Sequence, residues 1–246
     1  MKKVALIPAR YQSSRFPGKP LALINGKPMI QWVYEGVQAV QGIDELYVAT
    51  DDDRIFECVQ NFGGKALMTS PNHQCGSDRL AECVEILKLE DEDIVINIQG
   101  DEPLIRKEMV ETLIHAFDES EVYMATLKKK ITMESEIDNN NVVKVITDVN
   151  DYAITFSRYS LPFNRDNYSD IVYYKHIGTY AYKKWFLEKY SKMEKSFLEK
   201  CESLEQLRVI ENGYKIKVLE TEFQSLGVDT PEQLAEVEES IKSQLR

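Results

Sequence analysis

Arg10, Arg15 and Lys19, with Ser13, Ser14 and Gly18 between them, crowd the run Ile7-Pro8-Ala9-Arg10-Tyr11-Gln12-Ser13-Ser14-Arg15-Phe16-Pro17-Gly18-Lys19-Pro20. That set suits a polyphosphate. Backbone N–H groups and hydroxyls can hold phosphate oxygens, while arginine and lysine neutralise the charge that grows on a departing pyrophosphate. The run is not a Walker A motif, because GxxxxGK[ST] occurs nowhere in the chain. The plain alternative is a solvated basic loop. In a chain of net charge −11, cations packed together without an intervening acid weigh against it.

Two acidic positions could complement that loop. Asn97-Ile98-Gln99-Gly100-Asp101-Glu102-Pro103 ends an apolar stretch with amides, a glycine and a carboxylate. Asp101 could hold Mg²⁺, which takes one or two carboxylates together with phosphate oxygens and water; equally, it could cap the next helix. Gly227-Val228-Asp229-Thr230-Pro231 offers a second carboxylate just before a helix. Asp229 could reach the same metal or serve as an N-cap.

The elements that must position these residues follow from periodicity. Val4–Ile7 is a short continuous apolar run, as in a strand buried on both faces, and it leads directly into the basic loop. Pro28 opens a helix over Met29–Val40, with its missing N–H in the first turn. Strand and helix then alternate: Leu46–Thr50 and Asp53–Phe62, Ala66–Met68 and Asp78–Leu89, Ile94–Ile98 and a helix near Lys107–Phe117. This alternation predicts a mostly parallel sheet with helices on both faces. Asp51, Asp52 and Asp53 are expected to cap the second helix. Val122–Leu127 reads as a further strand. Val142–Ile146, Ala153–Ser157 and Tyr173–Tyr182 read as β segments without intervening helices, so 128–182 is expected to be an antiparallel β-rich insertion. A helix at Leu198–Glu211, a strand at Lys215–Leu219 and a closing helix at Glu232–Lys242 complete the pattern. The expectation is one α/β domain over 1–246 with that insertion embedded.

Composition bounds the partners. At roughly 100–200 residues per domain, 246 residues allow a large single core, and 43% hydrophobic content with 29% charged excludes a disordered chain. No run approaches the roughly 20 apolar residues of a membrane span, and Val4–Ile7 is too short for a leader, so the cytoplasm is the expected compartment. Forty-one acidic against 30 basic residues argue against a broad nucleic-acid surface. Cys58, Cys75, Cys83 and Cys201 form no CxxC pair and are read as free thiols.

Taken together, the loop 7–21, Thr50-Asp51-Asp52, Met68-Thr69, His73, Gly76, Asp78-Arg79, Asn97-x-Gln99-Gly100-Asp101-Glu102-Pro103, Phe156-Ser157-Arg158, His176-x-Gly178-x-Tyr180-Ala181-Tyr182, Leu204-Glu205-Gln206-Leu207-Arg208 and 227–231 resemble the 3-deoxy-D-manno-octulosonate (Kdo) cytidylyltransferases, the CMP-Kdo synthetases. The resemblance runs from the first strand to the last helix. It implies a Rossmann-like nucleotidyltransferase sheet, and attack of the 2-hydroxyl of Kdo on the α-phosphorus of CTP. It also implies Mg²⁺ held by Asp101 and Asp229, and a homodimer built on the β-rich segment. By the family pattern Arg10, Ser13, Arg15 and Lys19 hold the triphosphate, while Arg79, Gln99, Arg158, His176, Tyr180, Glu205 and Gln206 receive the acid. Each of the latter also has an ordinary structural reading, His176 as a satisfied histidine in a strand and Glu205 and Gln206 as a solvated helix face. Cytosine choice is expected to rest on backbone near Pro8–Ala9. Cys75 and Ser77 depart from the family's Ser and Thr. The alternatives are the same transfer to a close analogue such as 8-amino-Kdo, and a catalytically idle nucleotide-binding paralogue.

Overall fold

The computed structural model of the protein describes residues 1–12, 16–73, 76–224 and 226–244. Val4, Ala5, Leu6 and Ile7 have no solvent exposure, because strand β1 (Lys3–Ala9) is covered on both faces. Ala5 and Ile7 belong to one apolar cluster and Val4 and Leu6 to another, the two-residue period of a strand. A 3₁₀ turn (Lys19–Leu21), a small ribbon of β2 (Leu23–Ile24) and β3 (Lys27–Pro28), and helix α1 (Met29–Gln38) follow.

Next come β4 (Glu45–Thr50), α2 (Asp53–Asn61), β5 (Ala66–Met68), α3 (Gly76–Ile86), β6 (Ile94–Asn97) and α4 (Lys107–His115). Asp52 caps α2 as expected, accepting from the backbone N–H of Arg54 at 3.0 Å. The chain goes on through β7 (Met124–Lys130), β8 (Lys144–Thr147), β9 (Ala153–Ser157) and β10 (Tyr174–Lys183). It ends with α5 (Lys184–Ser191), α6 (Phe197–Glu202), α7 (Leu207–Glu211), β11 (Lys217–Glu220) and α8 (Pro231–Gln244).

The main sheet has the order β11-β7-β10-β6-β1-β4-β5. Pairings of β1 with β4 and β6, β4 with β5, and β11 with β7 are parallel. The exception is β10, antiparallel to both of its neighbours. The segment 128–182 therefore contributes in two ways: β10 is an inner strand of the sheet, while β8 and β9 branch from it as an antiparallel pair. The single helix expected over Leu198–Glu211 is two helices. Ser203 between them takes a left-handed φ of 53°, and the turn it makes closes on the buried Glu199–Arg208 ion pair. Helix α5 was not anticipated, because Lys184 follows the last residue of β10 with no Gly or Pro to mark the change.

Candidate active site

From β1 the chain steps to β4 and β5 on one side, then crosses back to place β6 on the other side of β1. Connections leaving in opposite directions open a crevice at the carboxyl ends of the two strands, the place where open parallel sheets bind ligands. Both motifs read from the sequence end there. The strand tips are held close by Gly100: a Cβ at that position would lie 2.7 Å from the Pro8 carbonyl oxygen, so no other residue fits without parting β1 from the segment after β6.

A cavity of about 340 Å³ occupies the crevice, bordered by Arg10, Lys19, Arg79, Gln99 and Asp101. Gly18, at φ +72° with the Tyr11 ring where a Cβ would point, leads the chain into the 3₁₀ turn that carries Lys19. The Lys19 ammonium donates to Asp101 at 2.6 Å and to Asp229 at 3.1 Å. Residues 210 positions apart meet because the Val228 N–H donates to the Asp101 carbonyl at 2.8 Å, while Val228 is fully buried with Ile24, Met29, Val237 and Ile241 beneath α8. The two carboxylates cannot lie further apart than the two bonds laid end to end. Ser13 and Arg15 lie outside the described residues, as does Cys75.

Arg79 borders this cavity but is only 1% exposed. Its guanidinium donates to the Thr69 hydroxyl and, at 3.0 Å, to Asp51. It thus ties α3 to the chain leaving β4 and β5, with its charge already balanced by Asp51.

A second cavity, also about 340 Å³, shares Pro8, Gly76 and Gln99 with the first and is walled by His176, Tyr180, Glu205 and Gln206. Gln99 donates to the Gly178 carbonyl at 3.3 Å, and Ser77 reaches Glu205 at 3.4 Å. Burial pushes the His176 imidazole down to about 3 and the Tyr180 phenol well above its ordinary range, so both are neutral hydrogen-bonding groups. Among the described residues, the Gln206 amide nitrogen and the Asn97 amide oxygen are buried without a hydrogen-bond partner, a donor and an acceptor suited to a polar ligand. Arg158 lines neither cavity. Its Nε donates to the Glu202 carbonyl at 2.7 Å and a terminal nitrogen to the Asn140 carbonyl at 3.1 Å, so it braces the turn before Leu204. Asn97 and Tyr182 also wall the second cavity. Asn97 stands two places before Gln99 in the same extended run, and that period could have found it.

A crevice at a parallel-sheet switch point, cationic on one side and hydroxyl- and amide-lined on the other, defines a nucleotide-handling α/β enzyme. The chain belongs to the cytidylyltransferase family, whose model matches residues 4–216, and it is a nucleotidyltransferase. It is 54% identical over 243 residues to a 3-deoxy-manno-octulosonate cytidylyltransferase of Fusobacterium nucleatum subsp. nucleatum, covering 98% of each chain. It is 50% identical to an 8-amino-3,8-dideoxy-manno-octulosonate cytidylyltransferase of Shewanella frigidimarina, covering 97% of this chain and 98% of that one. A solved CMP:2-keto-3-deoxy-manno-octonic acid synthetase complexed with CTP superposes with a TM-score of 0.93 at 44% identity, over 99% of this chain and 100% of the other. A 4-diphosphocytidyl-2C-methyl-D-erythritol synthase from Anaerococcus prevotii, 18% identical, covers 98% of this chain and 99% of its own with a TM-score of 0.64, a likeness of fold.

Proposed function

We propose that the chain transfers CMP from CTP to the anomeric 2-hydroxyl of Kdo, giving CMP-Kdo and pyrophosphate for lipopolysaccharide synthesis. The observation that carries this reading is the junction of the two cavities along Pro8, Gly76 and Gln99, beside a lysine shared by two carboxylates. A triphosphate in the first cavity and a hydroxyl-rich acid in the second meet at that border, so positioning supplies much of the rate. No side-chain nucleophile is needed: the sugar hydroxyl bonds to the α-phosphorus as the bond to pyrophosphate breaks, and the hydroxyl proton leaves to solvent.

Arg10 and Lys19, with Ser13 and Arg15, hold the triphosphate and stabilise the leaving charge. Asp101 and Asp229 would suit Mg²⁺ once the Lys19 ammonium that both now hold turns to the phosphates, because they are two neighbouring hard, partly exposed oxygen donors. Bound there, the ion supplies neutralisation of phosphate oxygens and a more electrophilic phosphorus. Gln99, His176, Tyr180, Glu205 and Gln206 bind the alcohols of the acid, Arg79, paired with Asp51, positions α3 at the first cavity rather than meeting the acid, and Arg158 positions the Ser203 turn.

A second reading has its own support. Among the described residues lining the second cavity, Glu205 carries the one formal charge, and a carboxylate there favours an ammonium on the acceptor. Pyrophosphate release from CTP with Kdo or 8-amino-Kdo tests both. Turnover several-fold faster with Kdo is the expected result; a preference for the amino sugar transfers the assignment to it, and background rates with both return the chain to an idle paralogue.

The reading includes a homodimer working in the cytoplasm. It is supported by Met133, Tyr159, Phe163 and Val172, exposed apolar side chains around a cavity of about 600 Å³ on the segment 130–173, the kind of patch that marks a protein interface. Among the described residues no helix is long and apolar enough to cross a membrane.

A further inference from the structure

Building on the reading of the second cavity as the sugar-acid site, we propose that Thr126 is a positioning residue that holds His176 as its Nε2–H tautomer, so that Nδ1 meets the acid as an acceptor of a hydroxyl proton.

Thr126 lies in β7, fully buried, opposite Tyr180 of β10, just where the register of the pair shifts between Ile177 and Tyr180. Its Oγ1 stands 3.1 Å from the Ile177 carbonyl oxygen, 2.9 Å from that of Thr179 and 2.9 Å from His176 Nε2. A hydroxyl has one proton and two lone pairs. Both carbonyls can only accept, so the proton serves them, and the two lone pairs are left for the Tyr180 hydroxyl and Nε2, each of which must donate; Nε2 therefore carries a hydrogen. The ring is neutral, since burial drives its ionisation down to about 3, and a neutral imidazole with Nε2–H has a bare lone pair on Nδ1.

The ring cannot turn to exchange these roles cheaply. Phe156 meets it edge-on at 5.0 Å between centroids and Tyr180 packs at 5.4 Å. Among the described residues Nδ1 makes no hydrogen bond, and the ring forms part of the wall of the second cavity. An acid rich in alcohols needs acceptors as well as donors, and a buried hydroxyl proton left without one is costly.

The test uses the full chain labelled with ¹⁵N-histidine. Long-range ¹H–¹⁵N spectra at neutral pH, with the His176 signals recognised by their loss in His176→Gln, report the tautomer without substrate. Wild type should give the Nε2–H pattern. Thr126→Val, close in shape but lacking the hydroxyl, should shift the pattern toward Nδ1–H and raise KM for the acid about tenfold while KM for CTP changes by less than about twofold. Thr126→Ser should restore both. The proposal is overturned by an Nδ1–H pattern in wild type, by a wild-type pattern in Thr126→Val, or by a changed pattern with an unchanged acid KM. Failure of wild type to use either acid would overturn the functional reading instead, leaving the substrate-free spectrum to decide the tautomer.

Discussion

Lys19 shows at residue scale why the opening loop and the two distant acids had to be considered together. Each of Asp101 and Asp229 admitted a capping reading from sequence, and in the structure both carboxylates bond one ammonium. Gly100 is the counterpart in backbone terms. Gly100→Ala places a methyl group 2.7 Å from the Pro8 carbonyl oxygen, which should cost about 1–3 kcal/mol. It should also raise KM for both substrates, because Pro8 borders both cavities; an unchanged urea midpoint would contradict it. His176 makes a pH prediction. Its ionisation falls from an ordinary 6.5 to about 3 in the folded chain, so the unfolded state binds the proton first. Stability is complete above about pH 6.5 and declines as pH falls toward 3, by at most about 1.4 kcal/mol per pH unit from this group. Urea titrations of wild type and His176→Gln between pH 7 and 4 check the sign, the variant losing less over that interval.

Elements set by local periodicity were legible, and those set by long-range pairing were not. The boundaries of β5 and the start of α1 could be read directly, since Ala66–Met68 and the stretch after Pro28 carry their own pattern. That β10 would enter the sheet antiparallel between β6 and β7 could not, because its alternation of buried and half-buried residues fits any half-covered strand. The break at Ser203 was hidden for a related reason: the residues on either side are helix formers, and the turn rests on Glu199 and Arg208, which are nine positions apart. Glu199 and Arg208 are 4% and 6% exposed, and removing one charge strands the other. Arg208→Met should therefore cost about 3–5 kcal/mol. It should also raise KM for the acid more than for CTP, since Glu205 and Gln206 sit on the turn this pair closes. Combining it with Glu199→Gln should recover part of the loss, and strict additivity in chemical denaturation would count against the coupling.

For the whole molecule, the apolar residues left on the surface are concentrated on the arm that leaves the sheet. Phe163 is 83% exposed and Tyr159 78%, on a segment outside both ligand cavities. If this arm joins two copies, Phe163→Asp should lower the mass seen in sedimentation velocity toward that of one 28.4 kDa chain without unfolding it. A wild-type chain that already sediments at that mass would remove the interface. The resemblance pointed to the β-rich segment as the subunit contact; which of its side chains stay exposed became visible only once the strands on either side were placed.

The bond from Val228 to Asp101 also bears on how the enzyme comes into being on the ribosome. A nascent polypeptide extruded as far as β11 already has every strand of the main sheet, yet the second of its paired acids is still inside the exit tunnel. With Asp229 in its proposed role, turnover waits for that turn to emerge and for α8 to dock over Ile24 and Met29, so vectorial synthesis would keep the unfinished catalyst silent.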